Sequence, residues 1–159
     1  MKTLRGENIK IICKNRKAFF NFEVDDSFEC GIVLLGSEVK SLRNGKANIS
    51  DSYGKIRKGE IFLIDAHISP YEQSNRQNHD PLRERKLLLH KKEIKRLTGK
   101  VTERGFSLIP LKIYFKNGKV KIEMALARGK KNYDKRESIK KKEQRRELER
   151  LVKFRNQER

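Results

Sequence analysis

Asn117-Gly118 restricts this chain more than any other pair of residues. A two-residue type I′ hairpin turn needs positive φ at both central positions, and Asn-Gly supplies it readily. The runs on either side alternate, so the turn predicts a register in which paired positions sum to 235. Phe115 then faces Val120, Ile113 faces Ile122, Leu111 faces Met124 and Ile109 faces Leu126, giving one wholly apolar face. On the other face Tyr114 meets Lys121 and Lys112 meets Glu123. A slip of one residue would mix the faces. Lys58-Gly59 gives a second hairpin with sums of 117, setting Arg57 against Glu60 and Ile56 against Ile61.

Further strands are expected at Ile9 to Cys13, at Ala18 to Val24 and at Phe28 to Leu35. Ser37 is placed to cap a short helix, Glu38 to Arg43, that Asn44-Gly45 would stop. Glu72 to Arg85 reads as a long surface loop in which His79 fixes the chain by hydrogen bonding. Ile94, Leu97 and Val101 share one face of a helix running from about His90 to Thr102. Short antiparallel strands with few helices predict a mainly β fold, a closed or nearly closed antiparallel β-barrel with short flanking helices, for which the oligonucleotide-binding barrel is the architectural analogy.

A chain of 159 residues with 35% hydrophobic content supports one modest core. No uninterrupted apolar run exceeds the four residues of one such as Ile32 to Leu35, far below the roughly 18 residues of a membrane span. Met1 to Glu7 has no apolar stretch of the secretory kind, so the expected setting is cytoplasmic and Cys13 and Cys30 are read as free thiols. The net charge is +19, from 40 basic and 21 acidic residues. Residues 1–128 hold 27 basic and 15 acidic side chains, and residues 129–159 hold 13 and 6, so both parts are cationic. Such an excess calls for a polyanion, and nucleic acid fits better than a lipid surface because the tail lacks an aromatic apolar face.

The composition changes after Gly129. Residues 1–129 are expected to form the barrel domain and residues 130–159 a basic tail. Asp134 to Glu137 has capping-box spacing, and Glu137 with Lys141 and Glu149 with Lys153 are favourable pairs one turn apart. Apolar residues are sparse, so the tail is expected to be disordered when free and helical on a polyanionic partner.

Nothing in the sequence assembles a catalytic set. His67, His79 and His90 have no metal-site spacing, and Cys13 and Cys30 form no C-x-x-C. No Gly-Lys pair completes a phosphate-binding loop, and Cys30, His79 and Asp80 are scattered rather than convergent. No enzyme activity, metal or cofactor is expected.

Gly36-Ser37-Glu38-Val39-Lys40-Ser41-Leu42-Arg43 runs into Gly45-Lys46-Ala47-Asn48-Ile49-Ser50-Asp51-Ser52-Tyr53. Asn78 to Arg83, Arg85 to His90, Ile109-Pro110-Leu111, Ala127 to Lys131 and Asp134-Lys135-Arg136 follow in order. Together these strings resemble the bacterial SsrA-binding protein family, also called small protein B, over about residues 8–137. The resemblance implies an oligonucleotide-binding-like barrel that binds the tRNA-like domain of transfer-messenger RNA (tmRNA, SsrA RNA), largely by shape and backbone contact. It implies delivery of that RNA to stalled 70S ribosomes, where the tail enters the empty mRNA channel as a helix and the stalled peptide is tagged. Elongation factor Tu and alanyl-tRNA synthetase would be met only indirectly, through the RNA. The protein would act as a monomer, without covalent chemistry of its own. Read from the residues alone, a general single-strand or RNA-binding barrel associated with the ribosome is the alternative, disfavoured by an aromatic content of only 8%.

The resemblance also implies site residues. Asn15, Arg16 and Ala18 match the family's entry to its RNA-facing strand. Phe19 and Phe20 stand where His or Tyr is usual, so Phe20 is able to stack but not to hydrogen-bond. Glu29 matches an acid implicated in RNA binding; a carboxylate repels phosphate, so it is expected to accept from a base or a 2′-OH, or to orient an Arg. Leu88 matches a leucine needed for the same binding, with core packing an equal alternative. Lys119 and Lys121 project from the polar hairpin face toward phosphate, and Arg43, Lys46, Lys130 and Lys131 extend the patch. Tyr133, Asp134, Lys135 and Arg136 fall at the family's decoding-centre hinge, with Tyr133 at a position where many members have His. Lys140, Lys141, Lys142, Arg145 and Arg146 would line the mRNA channel.

Overall fold

The computed structural model describes residues 9–73 and 78–157. The segment Met1 to Glu7, read above as lacking a secretion signal, lies outside the described residues.

Among the described residues nine strands and four helices follow one another: β1 (Ile9–Lys14), α1 (Ala18–Asn21), β2 (Phe22–Ile32), α2 (Gly36–Arg43), β3 (Ala47–Asn48), β4 (Tyr53–Arg57), β5 (Glu60–Ile64), β6 (His67–Ile68), β7 (Arg85–Leu88), α3 (Lys91–Arg104), β8 (Ser107–Lys116), β9 (Lys119–Gly129) and α4 (Asn132–Gln157). The large sheet has the order β1-β8-β4-β5-β7-β2-β9, and β9 also pairs with β8. That last pairing closes six strands into an antiparallel ring, with β1 added along the free edge of β8, so the oligonucleotide-binding-like barrel is the fold of this chain. Gly54 permits the tightest approach in the ring: a Cβ there would lie 2.8 Å from the Cβ of Leu108, its partner across β4 and β8.

Ile61, Leu63, Leu87, Leu108, Ile113, Ile122, Met124 and Leu126 fill the interior, and α3 adds Ile94 and Leu97 to the same core. Asp26 meets Arg96 at 3.0 Å and Asp25 meets Lys100 at 3.4 Å, tying β2 to α3. Both cysteines are free and lie in the rungs Cys13–Ile113–Ile122–Cys30, three strand spacings apart and beyond disulfide reach. Burial raises the Cys13 thiol to about 11 and the Cys30 thiol to about 12, so both stay protonated.

The two predicted hairpins form, with positive φ at Lys58, Gly59, Asn117 and Gly118. Their registers agree with the turn arithmetic close to each turn. Farther out, β8 bulges at Leu111: Lys112 pairs with Glu123 but Pro110 pairs with Met124, so Ile109 opposes Ala125 and Leu108 opposes Leu126. The predicted pairs Leu111–Met124 and Ile109–Leu126 are therefore replaced. Pro110 has no N–H to give the ladder. The freed carbonyls are taken by Asn15, whose backbone N–H donates to Leu111 at 2.8 Å and whose side chain donates to Pro110 at 3.1 Å. Beyond the bulge Ile109 and Leu111 join Ala18, Ala125 and Ala127 in a second, smaller cluster.

Other expectations change locally. Ala18–Asn21 is a helical turn rather than the start of a strand, because Asn15 Oδ1 accepts from Ala18 N–H at 3.0 Å and nucleates the turn. Ser37 does not cap α2; it lies inside the helix, and Glu38 accepts from Leu35 N–H at 2.7 Å instead. The His79 reading is met: Nε2 donates to Ile68 O at 3.0 Å, which leaves Nδ1 to accept from the Ser37 hydroxyl at 2.9 Å. Within the tail Asn132–Gln157 form one helix, α4, the conformation expected of it on a partner. It contains no Gly or Pro, Asp134 reaches back to the Lys131 N–H at 3.2 Å, and Arg145 pairs with Glu149 at 3.1 Å. At 26 residues it spans about 39 Å at the helical rise.

Arg85, expected at the end of a surface loop, is wholly buried. Its Nε donates to Glu38 at 2.7 Å, and its other nitrogens donate to the carbonyls of Ala66 (2.5 Å), Arg83 and Pro81 (3.0 Å each). Arg83 adds a two-pronged contact to the same carboxylate at 2.9 and 2.6 Å. Burial alone would raise the Glu38 pKa, but the bonds from Arg83, Leu35 N–H and Arg85 outweigh it and hold it below the ordinary value. Removing one partner of such a cluster strands a buried charge. Arg85→Ala is expected to cost about 3–5 kcal/mol in urea unfolding at pH 7. Because the folded pKa of Glu38 is depressed, its contribution is full above the unfolded value near 4.5 and is lost as pH falls through the folded one. Urea midpoints of the wild type should therefore drop below about pH 4.5.

Candidate nucleic-acid interface

Ladder pairing sets the outer face of β1, β8, β9, β2 and β7 row by row. The central row reads Ile11, Tyr114, Lys121, Gly31, Leu88. On one side lie Ile9, Lys116 and Lys119; on the other, Lys14, Lys112, Glu123 and Glu29. Residues opposite one another in antiparallel strands share a face, so five lysines and two glutamates stand on one surface.

The predicted residues Glu29, Leu88, Lys119 and Lys121 meet here. Leu88 is 51% exposed, so the core reading of this residue gives way to the surface one. It lies over Gly31, where a Cβ would come within 3.1 Å of the Leu88 Cβ. Glu29, Gly31, Leu88, His90 and Lys121 line an open groove at this edge. Glu29 accepts from the Tyr114 hydroxyl at 2.5 Å and from Lys116 Nζ at 3.4 Å, while Lys121 Nζ stands 4.0 Å away. The Tyr114 bond is the largest influence on Glu29, and with Lys116 and Lys121 it keeps the carboxylate below its usual range despite partial burial. Burial, then the Glu29 contact, raises Tyr114, so the phenol stays protonated and donates. Lys112 is paired with Glu123 at 2.5 Å, whereas Lys14 and Lys119 have no acidic partner among the described residues and are available to phosphate.

The other predicted RNA-binding residues stand elsewhere. Arg16, Phe20, Lys130 and Lys131 gather around α1, where Lys130 Nζ donates to Phe19 O at 3.0 Å and Lys130 N–H donates to Asn21 O at 2.9 Å. Phe19 and Phe20 are 59% and 40% exposed there, beside the start of α4 and the 74% exposed Tyr133. From Phe22 to Glu29 the strand covers about 23 Å at its ordinary rise, so this second patch is separate from the first. Asn15 is buried, with its amide shared among Ile49 O, Pro110 O and Ala18 N–H, so it shapes the loop and presents no free group. Arg43, the last residue of α2, and Lys46 just beyond it are exposed, and Lys46 is paired with Glu72. On α4, Asp134, Arg136, Lys140, Lys141, Lys142, Arg145 and Arg146 are exposed and Lys135 is half-buried.

Sequence reasoning missed Tyr114, Lys112, Lys116 and Lys14 as members of the face. The hairpin register already set Tyr114 against Lys121 and Lys112 against Glu123. The absent information was that β1 and β2 flank the hairpin. No group of three or more His, Cys, Asp or Glu among the described residues is arranged to hold a metal, and no helix among them is long and apolar enough to cross a membrane.

Fold and face together define an oligonucleotide-binding-like barrel with a lysine-rich outer surface. A family model described as SmpB protein matches residues 12–154. An SsrA-binding protein of Syntrophobacter fumaroxidans is 61% identical over 157 residues, covering 99% of this chain and 98% of that protein. One of Geobacter sulfurreducens is 60% identical, covering 87% of this chain and 91% of its own length. A chain of the solved structure "tmRNA-SmpB: a journey to the center of the bacterial ribosome" superposes with a TM-score of 0.64 at 48% identity, covering 76% of this chain and 85% of the other. The chain belongs to the SmpB protein family.

Exposure of Leu88 predicts a contrast with its neighbour, the 1% exposed Leu87. Leu88→Ala should cost less than about 1 kcal/mol in urea unfolding, and Leu87→Ala about 2–5 kcal/mol.

Proposed function

We propose that this chain binds tmRNA through its tRNA-like domain and carries it to stalled ribosomes for trans-translation, acting as a cytoplasmic, monomeric binding protein without catalysis of its own. The observation that carries the reading is the outer face just described, in which Lys14 and Lys119, without an acidic partner among the described residues, share one surface with the Glu29 groove. Phosphate contacts from lysines hold a folded RNA in register, and a carboxylate among them accepts only from a base or 2′-OH, which suits recognition of a folded RNA better than of any polyanion. Kinship with SsrA-binding proteins and with the SmpB chain of the tmRNA structure supports the choice of RNA.

In this reading residues 1–129 grip the RNA and residues 130–159 serve at the ribosome. Tyr133, Asp134, Lys135 and Arg136 lie at the decoding centre, and Lys140, Lys141, Lys142, Arg145 and Arg146 run along an mRNA channel that is vacant only when message is missing. A helix ringed with cations fits an RNA-walled tunnel, and α4 is such a helix. Elongation factor Tu and alanyl-tRNA synthetase act on the RNA and meet the protein through it. Exposed Phe19, Phe20 and Tyr133 favour a second reading, a general single-strand binder that stacks bases on aromatic rings.

Three results test this. Binding of a tRNA-like domain transcript should weaken steeply with salt, and an equal length of unstructured RNA should compete poorly; equal competition would favour the single-strand reading. Lys119→Glu should reduce affinity without lowering the melting temperature, and an unchanged dissociation constant would remove that residue from the interface. Deleting residues 130–159 should spare RNA affinity and abolish tagging on stalled ribosomes, whereas collapse of RNA binding would overturn the division of labour.

A further inference from the structure

We infer that Tyr114 is a positioning residue of the RNA interface: its hydroxyl holds one oxygen of Glu29 so that the other is presented to a hydrogen-bond donor of the RNA. The inference rests on the RNA-binding reading above. Tyr114 is 5% exposed although its strand position is on the outer face, so its ring is roofed by its neighbours and only the hydroxyl end is engaged at the surface. Lys112 Nζ lies 5.5 Å from the ring centroid and packs the aromatic body in place. From β8 the ring reaches toward β2, past β9, and its O–H donates to Glu29 Oε2.

The two oxygens of Glu29 are thereby made unequal. Oε2 is occupied by Tyr114 at 2.5 Å and Lys116 at 3.4 Å. Among the described residues Oε1 has only Lys121 near it, at 4.0 Å, beyond hydrogen-bond length, and its carboxylate lines the groove with Gly31, Leu88 and His90. A carboxylate oxygen accepts and does not donate, so the fitting ligand atom is an N–H or O–H, a ribose 2′-OH or a base amine, and not a phosphate oxygen. Without the Tyr114 bond the Glu29 side chain is freer to turn onto Lys116 or Lys121 and would neutralise a lysine rather than meet the RNA.

The test is a double-mutant cycle on the full chain with a tRNA-like domain transcript. Tyr114→Phe keeps the ring and removes only the donor, and Glu29→Gln keeps the shape and removes the charge. Each should weaken binding about tenfold, on the scale of one charge-assisted hydrogen bond, and the pair together should lose little more than either alone. Melting temperatures verify that both variants fold. The acid limb of affinity gives the second readout. The charged groups around Glu29 are Tyr114, Lys116 and Lys112 of β8, Lys121 and Glu123 of β9, and His90 and Glu93 across the groove; only the first is altered in Tyr114→Phe. That variant should lose affinity at a higher pH than the wild type, because the bond that favours ionised Glu29 is gone, whereas a purely structural defect would lower affinity equally at every pH.

Additive losses, an unmoved acid limb or wild-type affinity in Tyr114→Phe would overturn the inference alone. Tighter binding by Glu29→Gln would do the same, since Glu29 would then be only a repelling charge with nothing to position. Failure of the wild type to bind the transcript would overturn the RNA reading itself, and this inference with it.

Discussion

Pairing of β2 with β9 is the contact on which the rest of the molecule depends. The β8–β9 hairpin forms from local sequence, and β2 laid along its other side from Phe22 to Gly31 turns an open sheet into a ring. Closure buries Ile113, Ile122 and Met124 completely and removes the exposed sheet edges that β2 and β9 would otherwise present. It also fixes the outside. Because facing residues share a surface, the same ladder that drives Cys30 and Ile122 inward brings Glu29, Lys121 and Tyr114 together outside.

Two devices absorb the irregularities that closure creates. Bulges at Asp25 in β2 and at Leu111 in β8 let the strands curve and reassign their faces. The first frees two aspartates for Arg96 and Lys100 of α3, and the second is satisfied by Asn15, which in turn starts α1. On the opposite flank, Glu38 with Arg83 and Arg85 anchors α2 to the chain entering β7. These contacts are internal and hold the scaffold still. In the proposed reading the exposed cations of the barrel face and of α4 serve the RNA and the ribosome, which fits a net charge of +19 on a chain with so many internal ion pairs.

What could be read in advance follows the range of the forces involved. Hairpin turns are local, so Lys58-Gly59 and Asn117-Gly118 gave correct registers near the turns. The periodicity of α3 was equally plain, since Ile94, Leu97 and Val101 repeat on one face. The slip at Leu111 was hidden because both faces of the hairpin are apolar there, so alternation no longer discriminates between registers. Arg85 and Glu38 are 47 residues apart, and no local pattern marks a charge that is buried by a distant partner. Within the interface, family resemblance pointed to Glu29 and Leu88. The tyrosine bonded to that glutamate is 85 residues away and became visible only through the β2–β9–β8 neighbour relation. The helix of the tail follows from charge pairing and a lack of helix breakers, both visible in the sequence.

The central claim is that a rigid barrel face selects one folded RNA rather than polyanions in general. Sequencing the RNAs that copurify with the tagged full-length protein from bacterial cells, after a high-salt wash, addresses it most directly. The account predicts a single dominant species with a tRNA-like end. Recovery of a broad mixture of messenger, ribosomal and transfer RNAs in proportion to their abundance would contradict it.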